Sequence, residues 1–290
     1  MFEGSIVALV TPFKEGKVDE ESFLNLIDFQ VAGGTQGILI SGTTGESATL
    51  SDNEKERLFK LTVERLRGKI PFIAGTGTND TKTTLHLSQK AQEIGADGLL
   101  VITPYYNKPT QQGLIEHFSY IAKRISIPII IYNVPGRTGV SIEPSTLAEL
   151  AKIKNIIGVK EATGSMKQAT EINLLCPDDF IMLSGDDFTY LPFLAAGGRG
   201  IISVSANIIP DKMQKIYSEF KEGRISEART LHNEVFDLHK MMFMETNPIP
   251  VKTALALMNK IKPEFRLPLC QMKEENKNKL VEELKKHKLI

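Results

Sequence analysis

Cysteine is nearly absent. Cys176 and Cys270 are the only two in 290 residues, far apart and without a C-x-x-C or His-paired spacing. That excludes a disulfide framework and fits reduced thiols in the cytoplasm. Net charge is missing too: 35 Lys and Arg balance 35 Asp and Glu, so no global field recommends nucleic acid or an anionic membrane as partner. The closing Lys285-Lys286-His287-Lys288 cluster reads as a solvated helix end. No apolar run approaches a membrane span, and the N-terminus shows no basic stretch ahead of an apolar one, so a cytoplasmic protein is expected.

Nucleotide and metal signatures are lacking as well. Val10 is followed by Thr11-Pro12-Phe13 rather than G-x-G-x-x-G, and Gly42-Thr43-Thr44-Gly45 has no Walker lysine and Ser/Thr pair. The histidines, His86, His117, His232, His239 and His287, have no H-x-x-x-H or H-E-x-x-H spacing. The adjacent Asp186 and Asp187 point apart along a chain, and Asp is a preferred helix cap, so a cap is the favoured reading over a metal site. No metal and no cofactor is expected.

What is present is an alternation. With 41% hydrophobic and 24% charged residues, the chain can bury a substantial core. Short β-branched apolar runs alternate with amphipathic stretches for more than two hundred residues, the βαβ rhythm of a parallel sheet. Strands are expected at 5–10, 37–41, 71–74, 98–102, 128–132, 156–160, 180–184 and 200–203. Helices are expected between them, among others at 19–32, 52–66, 81–94, 111–124 and 145–153, with Ser51 or Asp52 as a cap and Gly68 and Gly95 as stops. Eight strands, each with a following helix, argue for a (β/α)8 TIM barrel over an open sheet. From about Arg224 the strands cease. Helical segments at 225–243, 249–260 and 273–288 follow, giving a barrel domain over 1–223 and a C-terminal α-helical extension over 224–290. That extension braces the barrel or builds an oligomer contact; the pattern does not separate the two.

In a barrel, chemistry stands at the C-terminal strand ends. Lys160 follows Ile156-Ile157-Gly158-Val159 there. A lysine alone is far more often a solvated group, but one ending a buried strand is partly desolvated. Its pKa then falls, and the neutral amine can form a Schiff base with a carbonyl. Tyr132 ends the neighbouring strand, as a proton shuttle or as core. Gly42-Thr43-Thr44-Gly45 either presents amides and hydroxyls to a small anion or is an ordinary turn. Arg137 in a Pro-Gly turn either clasps a carboxylate or is solvated, and Tyr105-Tyr106 carries the same ambiguity.

Gly42-Thr43-Thr44-Gly45-Glu46, Tyr132-Asn133-Val134-Pro135-Gly136-Arg137-Thr138 and Gly158-Val159-Lys160-Glu161-Ala162 together resemble the pyruvate-dependent class I aldolases and lyases of the N-acetylneuraminate lyase superfamily, and more narrowly the dihydrodipicolinate synthase family. The likeness spans essentially the whole chain. It implies condensation of pyruvate with L-aspartate 4-semialdehyde, the entry to lysine biosynthesis through diaminopimelate. It implies Lys160 as the Schiff-base lysine and Tyr132, Thr43 and Tyr106 as the proton relay. Thr43 and Thr44 would hold the pyruvate carboxylate, Arg137 the semialdehyde carboxylate, and Gly185 and Ile202 would complete the pocket through their carbonyls. A homotetramer of two tight dimers is implied, with Tyr106 reaching a neighbour's site. Ser47, Ala48, Asn79 and Tyr105 match the family's lysine effector site, whereas Asp52, Lys55 and Thr83 replace two histidines and a glutamate, so inhibition by L-lysine is expected to be weak or absent. Two other readings remain: a sugar-acid aldolase, against which Arg137 argues, and a non-catalytic keto-acid-binding barrel, which has no need of nucleophile and relay together.

Overall fold

The computed structural model describes residues 2–290. Eight parallel strands close into a barrel: β1 (Gly4–Ala8), β2 (Gly37–Ile40), β3 (Phe72–Gly75), β4 (Gly98–Ile102), β5 (Ile129–Asn133), β6 (Ile156–Glu161), β7 (Ile181–Ser184) and β8 (Gly200–Ser203), with β8 pairing back onto β1. The expected strands are all present, shifted by one or two residues at most ends. Strand edges move because pairing with neighbours, rather than composition, decides where a ladder stops.

The alternation of the pleat sorts the strand residues into two cores. Ile6, Leu39, Ile73, Leu100, Ile130, Tyr132, Leu183 and Ile202 form the interior cluster, while Val7, Ile38, Ile40, Leu99, Val101, Ile131 and Val159 pack outward under the helices. Phe2 belongs to the interior cluster and is wholly buried. A Cβ on Gly98 would stand only 2.8 Å from its ring. The barrel is thus plugged at its N-terminal end, and open space lies at the C-terminal end, where TIM barrels work.

Helices α1 (Glu20–Ala32), α2 (Asp52–Leu66), α3 (Thr81–Ile94), α4 (Gln111–Ala122), the single turn α5 (Pro135–Thr138), α6 (Pro144–Leu150), α7 (Met166–Leu175), α8 (Tyr190–Ala195) and α9 (Pro210–Lys221) accompany the strands. Ser51 caps α2 in a full capping box with Glu54, which satisfies two otherwise orphaned amides. Gly95 is the left-handed end of α3, but α2 stops one residue before Gly68, on Arg67 in the left-handed region. The extension contains α10 (Ile225–Glu234), α11 (Phe236–Met242), α12 (Ile249–Leu257) and α13 (Glu274–Lys286). The expected helix over 225–243 is two helices, broken where Val235 leaves helical geometry (φ −96°, ψ 2°). The outer hydrophobic core runs through both parts of the chain, from Val7 to Leu284. Among the described residues no helix is long and apolar enough to cross a membrane.

Candidate active site

Lys160 and Tyr132 are register partners on adjacent strands, so both side chains enter the barrel mouth from the same level. Lys160 is 6% exposed, and its Nζ lies 4.2 Å from the centre of the Tyr132 ring. Burial drives its pKa down to about 7, with the Arg137 charge pushing the same way and Asp187 opposing. A useful share of the amine is therefore free near neutrality, as a nucleophile requires. Burial also raises the Tyr132 phenol above its ordinary value, against Arg137 and the Thr43 hydroxyl. The tyrosine stays protonated and able to donate.

Gly185 leaves the space beside the lysine open. A Cβ there would stand 3.1 Å from Lys160 Cε and 2.6 Å from the Ala162 Cβ, so any side chain would crowd the amine. Ile202 is buried in the interior cluster beyond β7.

The turn after β2 is built on its own backbone. The Gly45 N–H donates to Gly42 O and the Glu46 N–H to Thr43 O, each at 3.1 Å. Ser41 and Glu46 at its two ends hold positive φ, 59° and 54°, a strained choice for non-glycine residues that tertiary contacts must enforce. Thr43, Tyr132 and Arg137 line a cavity of about 400 Å³. Thr44 points elsewhere: it is 3% exposed, and its Oγ1 accepts a 3.0 Å bond from Asn247 Nδ2. Arg137 is steadied from the same place, donating to Asn247 O at 3.1 Å.

Ser47, Ala48 and Tyr105 open into the same cavity, together with Lys55. Asn79 is not among the residues that line this cavity; its carbonyl accepts from Asn107 Nδ2. Tyr106 is not brought to the site in this chain; it stands out from the surface, 89% exposed, on a residue with φ 73°. No group of three or more His, Cys, Asp or Glu side chains is arranged to hold a metal among the described residues.

Comparison with known proteins identifies the family. A sequence model of the dihydrodipicolinate synthetase family matches residues 1–287. The chain belongs to this family. It is 53% identical over 290 residues to the 4-hydroxy-tetrahydrodipicolinate synthase of Thermodesulfovibrio yellowstonii, with both chains fully covered. Among solved structures it resembles the dihydrodipicolinate synthase of Aquifex aeolicus, at TM-score 0.98 and 50% identity over 99% of each chain. That of Thermotoga maritima matches at TM-score 0.99 and 44% identity over 100% of each.

Within the dihydrodipicolinate synthetase frame the structure adds residues that the sequence reading did not single out, and corrects one. Asp186 is the expected cap, accepting from the Phe188 N–H. Asp187 is not: it is buried beside the site, its carboxylate accepting from Ser203 Oγ and the Val204 and Ser205 N–H groups. Adjacent residues diverge, so only one of the pair could face solvent. Glu46 and Lys252 form an ion pair in which neither side chain is more than 1% exposed. A signal existed in the sequence: Lys252 is the one charge in the otherwise uncharged helix IPVKTALAL, and an interior cation demands a partner. What no pattern could supply was its identity, 206 residues away.

Proposed function

We propose that this chain acts as a 4-hydroxy-tetrahydrodipicolinate synthase with Lys160 as its Schiff-base nucleophile. The enzyme condenses pyruvate with L-aspartate 4-semialdehyde, the step that leads to lysine through diaminopimelate. The observation that carries the residue assignment is a buried lysine with a pKa near 7, held against Tyr132 at the mouth of the barrel.

The chemistry follows from that placement. The neutral Lys160 amine adds to the pyruvate ketone, and loss of water leaves a protonated imine. The imine withdraws electrons from the pyruvate methyl, which gives up a proton and becomes the enamine carbon. That carbon bonds to the aldehyde carbon of the semialdehyde, whose oxygen takes up a proton. The semialdehyde's own amine then displaces Lys160 from the imine, closing the ring and freeing the enzyme. Tyr132 and Thr43 are the proton carriers on the cavity wall. The Gly42–Gly45 turn takes the pyruvate carboxylate through its backbone and Thr43, with Thr44 supporting the turn, and Arg137 takes the semialdehyde carboxylate as a charge-assisted pair.

Tyr106 completes the relay in a neighbouring copy's site, which makes a homo-oligomer, a tetramer of two dimers, the working form. Its outward projection supports that reading. With its two thiols free, the protein suits the cytoplasm.

Borohydride reduction in the presence of pyruvate, followed by peptide mass mapping, is expected to trap a single adduct on Lys160. An active preparation that yields no adduct, or one on another lysine, would overturn the assignment.

A further inference from the structure

The buried pair of Lys252 and Glu46 is not used by the chemistry above, yet it joins the C-terminal extension to the residue that ends the Gly42–Gly45 turn. Lys252 is wholly buried on α12. The rings of Phe13 and Phe265 lie 4.3 and 5.0 Å from its Nζ. One oxygen of Glu46 accepts from Lys252, and the other from the Arg266 N–H at 3.3 Å. A buried ion pair in apolar surroundings is a poor way to gain stability, because removing both charges from water offsets most of their attraction. Something else must follow from placing it there.

Two features point to the turn. Glu46 holds left-handed backbone (φ 54°) while its N–H donates to Thr43 O. Its conformation therefore sets where the Thr43 carbonyl and hydroxyl stand. The same part of the extension also touches the turn a second time, through Asn247 on Thr44, and Arg137 through the Asn247 carbonyl. Arg266 adds a bond from its guanidinium to Thr49 O, so the chain leaving the turn is tied on both sides.

We infer that Lys252 is a positioning residue: through Glu46 it fixes the Gly42–Gly45 turn, and so the site that receives the pyruvate carboxylate. This rests on the reading of the turn as that site. On this inference the extension presets a binding geometry on the barrel rather than only covering its flank.

Three variants test it. Lys252→Met keeps most of the side chain's length and removes the charge. Its pyruvate KM is expected to rise by ~10-fold or more, with a loss in kcat beside it because the displaced turn also carries the Thr43 hydroxyl of the relay, while borohydride still traps pyruvate on Lys160. The paired variant E46Q/K252M leaves no buried charge alone, so it should recover the thermal stability that K252M loses while keeping the raised KM. Recovery of KM together with stability, a wild-type pyruvate KM in folded K252M, or failure of both variants to fold would overturn the positioning role. Thr43→Val separates the premise from the inference. A wild-type pyruvate KM in T43V removes the reading of the turn, whereas a raised KM in T43V beside an unchanged one in K252M removes only the role of Lys252.

Discussion

Lys160 sits where desolvation and two charges compete, and their balance predicts a pH profile. Its folded value, about 7, lies below the ordinary 10.5, so the proton leaves the folded protein first. The sign follows: the nucleophilic amine is mostly free above about pH 7 and mostly protonated below it. The protonated form carries a desolvation penalty that opposes folding at low pH and lifts as pH rises through 7 toward 10.5. We expect kcat/KM for pyruvate to fall ~10-fold per unit below an acid limb near 7. Asp187 holds that value up, so Asp187→Asn should move the limb to lower pH. A profile flat across the neutral range, or a limb that moves upward in D187N, would contradict this account. Lys160 and Tyr132 were legible because each ends an apolar strand. Asp187 was not, since nothing in Gly185-Asp186-Asp187 says which carboxylate turns inward until β7 and β8 are paired.

At the scale of elements, α2 and α3 decide how the cavity's outer part meets an effector. Lys55, on the first turns of α2, lines the cavity with its side chain 12% exposed and 3.7 Å from Asp52. Thr83, near the start of α3, has its N–H and hydroxyl both given to Asp80 at 2.7 Å. Of these two helices only Lys55 reaches the cavity lining, so neither places a carboxylate there for an incoming ammonium, and one presents a like charge. L-lysine is expected to inhibit weakly or not at all; half-inhibition at sub-millimolar lysine in a steady-state assay would refute this. The elements themselves were largely readable. Helices α2 and α3 have the expected bounds, because capping boxes and left-handed glycines act locally. The break at Val235 was not readable, because apolar periodicity continues through it and only packing against the barrel turns the chain.

For the whole molecule, the telling residue is Tyr106, which this chain displays to solvent rather than to its own Lys160. If a neighbouring copy supplies the phenol, Tyr106→Ala should lose ~100-fold or more in kcat, as expected for removing a proton carrier, while Lys160 still forms its pyruvate adduct. Mixing Y106A with a Lys160→Ala variant should restore part of the activity, since each would bring the residue the other lacks. Absence of any recovery in verified mixed oligomers would sink the shared site. By itself, the sequence determined the eight-fold βα rhythm, the lysine at a strand end and the family's motifs, because period, capping and turn chemistry are encoded within a few residues. Only the tertiary structure decided which end of the barrel is plugged and that Asn247 and Lys252 meet Thr44 and Glu46 at the turn after β2. Each depends on residues meeting across long stretches of chain, where burial and the need of every interior charge for a partner select the contact.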